Sequence, residues 1–286
     1  MDSAWLMAVA VGVCNSGAAL AGKGAERHRC RAASYGLVGF GVGAVTAFLA
    51  SLGRGGVWAD AGLWAFGAAM GGLSLAATVA MLRANRCWPP SLVWAAANMA
   101  FVLPILLSAL FLGEPLRRLD AAILAGVAVM LAGLVDWQAA GGGGEARPAA
   151  RWFWLGLVFL ISGALMMAFK LFGVLLPGRS PACLVAISYG SGCALALAIQ
   201  AGRGEIAPRR MELGWGLAAG LTGGLSYLAM LAAMRLPAAA AFPVIQGTSL
   251  SGGMLACALV FGERLTGRKL AALAVGLAAM TLTVWR

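Results

Sequence analysis

Long apolar runs, broken only by short polar punctuation, dominate the sequence. Ten of them pass the length test for a membrane-spanning helix, which needs about 20 mostly apolar residues because hydrocarbon offers the backbone no hydrogen-bond partner. They cover residues 3–22, 32–53, 61–82, 88–112, 119–138, 152–172, 181–201, 213–234, 238–261 and 269–285. The run at 119–138 is the weakest, since Asp120 and Asp136 leave 15 uncharged residues between them, although Trp137 supplies an interfacial anchor. Ahead of the first run lies Asp2 and no Lys or Arg. An uncleaved first helix is therefore expected rather than a signal peptide, despite the A-x-A-like Ala19-Leu20-Ala21.

The runs repeat. Gly71-Gly72-Leu73-Ser74 reappears as Gly223-Gly224-Leu225-Ser226, and Met81-Leu82-Arg83 parallels Ala233-Met234-Arg235 at the same offset of 152. Farther on, the segment from Ala109 through Phe111, Gly113 and Glu114 to Leu116 parallels Ala258 through Phe261, Gly262 and Glu263 to Leu265, at an offset of 149. Between the copies lies a Gly-rich linker over residues 141–150, which separates a first half, 1–140, from a second, 151–286. Each half then holds five spans. An odd number forces the copies into opposite topology, so the expected fold is an all-α integral membrane protein of ten transmembrane helices, arranged as two inverted five-helix repeats.

Composition narrows the chemistry. Of 286 residues, 62% are hydrophobic and 11% charged, with mean hydropathy +0.89, against roughly 45 to 50% and about 25% in soluble domains. Ten acidic residues and one histidine leave little for acid, base or metal work. The six cysteines form no CxxC pair, so neither a metal nor a cofactor is expected, and an enzyme is disfavoured. The net charge of +11 punctuates apolar runs instead of forming a stripe, which points to lipid headgroups and loop orientation and away from nucleic acid.

Two five-helix halves, each closing on a Phe-Leu-Gly-Glu or Phe-Gly-Glu segment before a glycine-containing apolar span, resemble the drug/metabolite transporter superfamily, in particular its ten-helix EamA-like members. Asn15 and Lys23 in the first span are similar to an Asn and a Lys found there in many members. The resemblance implies secondary transport of a small metabolite or drug-like solute, as an exporter across the bacterial cytoplasmic (inner) membrane. Protons or a counter-substrate would be candidates for coupling. No Asp or Glu lies in mid-span, however, which disfavours the embedded-carboxylate mechanism of proton-coupled drug antiporters.

The candidates for solute contact are polar or aromatic residues within spans: Asn15, Trp94 with Asn98 one turn later, Tyr189, Tyr227, Gln246 and Thr248. Lys170, 18 residues into its span, either snorkels to the interface or presents a charge that selects anionic solutes. Gly113 with Glu114, and Gly262 with Glu263, read as helix ends followed by a carboxylate in the next first turn; Pro104 and Pro243 interrupt the fourth and ninth spans. A gating role is the alternative for these six. The pairs Gly39/Gly43, Gly67/Gly71 and Gly220/Gly224 have the spacing of close helix crossings.

Charge orients the chain ambiguously. Of the 21 Lys and Arg, 14 fall after odd-numbered spans, which puts both termini outside the cytoplasm, whereas the family resemblance implies both inside. The functional alternative from a different class is a non-transporting membrane protein, either structural or a lipid scramblase.

Overall fold

The computed structural model describes residues 3–52, 58, 60–88, 90–115, 117–134, 148–204, 207–262 and 266–284. Glu263, most of the Gly-rich linker and the two terminal dipeptides lie outside the described residues. Among those described there are helices and turns but no strand. In chain order the helices are α1 Ser3–Arg27, α2 Ala32–Leu52, α3 Ala61–Asn85, α4 Pro90–Met99, α5 Val102–Phe111 and α6 Arg118–Leu134. They continue with α7 Pro148–Leu175, α8 Pro181–Ala201, α9 Arg210–Ala233, α10 Ala238–Phe261 and α11 Gly267–Val284.

Among the described residues, eight segments are long and apolar enough to cross a membrane, which gives the chain the make-up of a multi-pass membrane protein. They are α1, α2, α3, the α4–α5 segment Leu92–Phe111, α7 from Arg151, α8, α9 and α10. The shorter α6 and the terminal α11 pack chiefly on each other. Many large side chains point outward, among them Leu49 (61% exposed), Leu110 (74%) and Leu259 (86%), while others such as Phe101, Ile105 and Phe242 fill the interior. An apolar exterior suits a lipid solvent, in which apolar surface gains nothing from burial and backbones gain by approaching closely.

One span differs from the single helix expected at 88–112. It breaks between Met99 and Val102, where Phe101 N–H donates to the Asn98 carbonyl (3.3 Å) and Leu103 N–H to that of Ala100 (3.0 Å). Pro104 explains this. It has no N–H for the Ala100 carbonyl, and its ring crowds that same oxygen, so Leu103 takes the acceptor in a tighter turn. Pro243, in the second turn of α10, leaves that helix continuous.

Start signals sit where capping chemistry requires them. The Asp60 side chain accepts from Leu63 N–H (3.1 Å) at the start of α3, and Ser180 accepts from Cys183 N–H (3.4 Å) at the start of α8, with Pro181 in the first turn. Asp120 accepts from Arg117 N–H (2.8 Å) at the start of α6, and Glu212 from Arg209 N–H (2.7 Å) at the start of α9. Gly113 (φ 67°) and Gly262 (φ 69°) end α5 and α10 in the left-handed region, where a Cβ would be strained.

The main packing crosses between the two halves of the sequence. α1 packs on α9 and α10, α2 on α8 and α9, α3 on α7 and α8, and both α4 and α5 on α7. Glycine makes these approaches possible. A Cβ at Gly220 would strike the Gly39 carbonyl and Val42, and one at Gly71 the Ser188 carbonyl and the Ser191 hydroxyl. Thus Gly39/Gly43 and Gly220/Gly224 face each other across α2 and α9, while Gly67/Gly71 receives α8.

Candidate functional site

Polar and aromatic side chains from seven helices converge inside the bundle. α3 and α9 bring in the repeated Gly-Gly-Leu-Ser segments, and the serine of each makes a bond across the halves. Ser74 of α3 lies 3.1 Å from the Tyr227 hydroxyl of α9, and Ser226 of α9 donates to Asn15 Oδ1 of α1 at 2.7 Å. The Tyr227 ring stands edge-on to both Phe169 of α7 (centroids 4.6 Å apart) and Tyr189 of α8 (5.0 Å). Tyr189 in turn meets Phe40 of α2 edge-on at 5.6 Å. Gln246 of α10, 2% exposed, donates to the Met166 sulfur of α7 at 3.5 Å. Edge-on rings and neutral hydrogen bonds give this cluster dipoles and faces but no net charge.

Small residues let the tyrosines in. A Cβ at Gly43 would collide with the Tyr189 ring, and one at Gly223 would lie 2.6 Å from the Tyr189 hydroxyl. The tyrosine therefore occupies space that α2 and α9 leave open by having no side chain there.

Of the sequence candidates, Asn15, Tyr189, Tyr227 and Gln246 belong to this convergence. Thr248 does not: it packs against Gly12, where α1 and α10 meet. At the same contact Ser16 donates to the Ser249 carbonyl (3.0 Å). Asn98 turns back on its own helix and donates to the Trp94 carbonyl (2.7 Å), while Trp94 lies near Gly22 of α1. Sequence reasoning did not single out Ser74, Phe169 or Ser226. The two serines carried a signal all the same, since both stand at equivalent places in the repeat.

Lys170, 9% exposed, forms an ion pair with Glu114 and donates to the Leu236 carbonyl (3.1 Å). Glu114 also accepts from Ala238 N–H (2.8 Å), the first residue of α10. The carboxylate expected in the first turn of the following helix thus caps a helix of the other half instead, because the chain from Gly113 turns toward α10 before α6 begins. Lys170 is neither snorkelling alone nor an unmatched charge. It closes a three-way joint between α5, α7 and α10, one helical turn beyond Met166.

Two further joints lie at the bundle ends. Arg31, between α1 and α2, donates from Nε (3.0 Å) and Nη2 (2.9 Å) to the Glu212 carboxylate, which also accepts its backbone N–H (2.9 Å). Arg179, between α7 and α8, pairs through Nε with Asp60 at 2.6 Å. The Leu63 backbone N–H, and with it the neighbouring Arg179 guanidinium, hold the Asp60 carboxyl below its ordinary range. A shallow, almost wholly apolar groove of about 500 Å³ runs between α2, α3 and α8, lined among others by Phe48, Trp58 and Trp64. No group of three or more His, Cys, Asp or Glu able to hold a metal occurs among the described residues.

No family model and no curated protein matches the chain. Solved structures do share its backbone. One, described only as "Crystal structure of protein", superposes with a TM-score of 0.75 over 99% of this chain and 98% of that one, at 20% identity. At that identity the likeness speaks to the fold alone.

Proposed function

We propose that the chain is a secondary transporter of the EamA-like kind: ten spans in two inverted five-helix repeats that pass a small metabolite or drug-like solute by alternating access, as an exporter of the cytoplasmic membrane. The observation that carries this reading is the packing pattern. Exchange α1, α2 and α3 with α7, α8 and α9, the α4–α5 segment with α10, and α6 with α11. The contact of α1 with α9 then becomes that of α3 with α7, α2 with α9 becomes α8 with α3, and α1 with α10 becomes α7 with α4–α5. The contacts α2 with α8 and α6 with α11 map onto themselves. Two copies of opposite topology interleaved about an axis in the membrane plane pack in this way, and such folds bind solutes at the interface of the copies.

The cluster of Asn15, Ser74, Tyr189, Ser226, Tyr227 and Gln246 occupies that interface. Its chemistry favours a largely apolar or aromatic solute with one or two hydrogen-bonding groups, because each ionic group nearby is already matched. Every described acidic residue lies in a loop or within the last or first turns of a helix, so coupling by an embedded mid-span carboxylate is not part of the reading. The groove between α2, α3 and α8 is lined almost wholly by apolar side chains.

Purified protein in liposomes tests the reading. Solutes that raise its thermal stability should show saturable flux, and replacing Tyr227 by Phe should lower that flux while leaving the fold intact. Headgroup flipping without saturable solute flux would replace the transporter by the scramblase.

A further inference from the structure

The joints Arg31–Glu212 and Asp60–Arg179 are related to each other. Arg31 and Arg179 lie 148 residues apart, and Asp60 and Glu212 lie 152 apart, which brackets the offsets of the repeat itself. Each arginine sits in the loop between the first two helices of its half. Each carboxylate caps the start of the third helix of the other half: Asp60 through Leu63 N–H, Glu212 through Arg209 N–H. Arg31 precedes α2 and Asp60 follows it, so the pairs lie at opposite ends of a 21-residue helix, about 30 Å apart.

We propose that these pairs are the two end latches of the transport cycle, one at each membrane face, each holding the halves together while the other is released. The proposal rests on the alternating-access reading above. That the latches exist as equivalents follows from the repeat; that they are unequal follows from their geometry. Glu212 is 1% exposed in its side chain and takes both a forked guanidinium contact and the Arg31 backbone N–H, and Arg31 also donates to the Ala207 carbonyl (2.7 Å). At the other latch Arg179 Nε lies 2.6 Å from the Asp60 carboxylate, with the Arg179 side chain 46% exposed and that of Asp60 13%. Solvent and salt screen the exposed pair far more than the buried fork. The Asp60–Arg179 face therefore opens first.

Native cysteines report on both ends. Cys30 adjoins Arg31, and Cys183, fully buried, lies in the first turn of α8 just beyond Arg179. The experiment is peptide-resolved maleimide labelling of the full chain in nanodiscs. Asp60→Asn should raise Cys183 labelling at least threefold and reduce that of Cys30, and Glu212→Gln should do the reverse. In the unaltered protein, raising salt from 0.1 to 1 M should expose Cys183 and spare Cys30. The charge exchange Asp60→Arg with Arg179→Asp should return labelling to the unaltered pattern.

Loosening without protection at the opposite end, or equal salt sensitivity of both cysteines, overturns the proposal; the salt series stands even where a variant fails to fold. The transporter reading is judged separately by solute flux. Flux without reciprocal labelling refutes the latches alone, and reciprocal labelling without flux refutes the transporter alone.

Discussion

At the scale of single residues, the structure changes what Lys170 can do. Its ammonium is spent on Glu114 and the Leu236 carbonyl, so it does not read the charge of a solute. Lys170→Gln should weaken anionic and neutral solutes alike, by loosening the joint, and should cost about 3 kcal/mol because removing one partner strands a mostly buried carboxylate. Chemical denaturation in detergent measures that loss, and the double change with Glu114→Gln should cost much less than the two singles together. Asp60 makes a prediction in pH. Its carboxyl is held below its ordinary value, so its contribution is complete above about pH 4 and disappears as pH falls through the lower folded value. Thermal stability should fall over that acidic range, and Asp60→Asn should remove that part of the fall. Tyr227→Phe removes one bond to Ser74, a change of about 1 kcal/mol, so a large loss of flux without a comparable loss of stability marks solute contact.

At the scale of helices, glycine placement sets the cost of change. Gly71→Ala forces a Cβ against a backbone carbonyl of α8 and should destabilise by about 1 to 3 kcal/mol, as should Gly220→Ala against α2. Gly190→Ala on α8 meets nothing within 4 Å and should be neutral or stabilising by up to about 1 kcal/mol. Thermal unfolding of the three variants checks the contrast, and equal effects would mean that these crossings are not close. Most of this level was legible in the sequence. Apolar length located the helices α1, α2, α3 and α7 to α10, and the glycine spacings marked the crossings. What was not legible was partnership: spacing alone does not say that Gly39 and Gly43 meet Gly220 and Gly224, or that Glu114 caps a helix 124 residues away. The break ahead of Pro104 was half legible, since proline announces a defect one turn upstream without saying whether the helix bends or divides.

At the scale of the whole molecule, the repeat was the most informative feature in the sequence, and it placed two of the three residues that reasoning by residue type overlooked. Ser74 and Ser226 look unremarkable as serines. They stand out only as copies of one another, and in the structure each reaches across to the opposite half. The same holds for Arg31 and Arg179: the sequence places each in a loop, where a basic residue is ordinary, and only the fold gives each a carboxylate at a different end of α2.

The cross-half packing also bears on how such a chain is made. When α1, α2 and α3 have left the ribosome, the helices they pack against most, α7 to α10, do not yet exist. The first half must wait in the membrane with its glycine-lined faces and the carboxylates Asp60 and Glu114 unmet, a state that insertion factors would need to shelter and quality-control proteases would recognise. Two fragments divided in the Gly-rich linker, produced together, should assemble into a working pair; the first fragment produced alone should be degraded, a difference that pulse-chase labelling would measure.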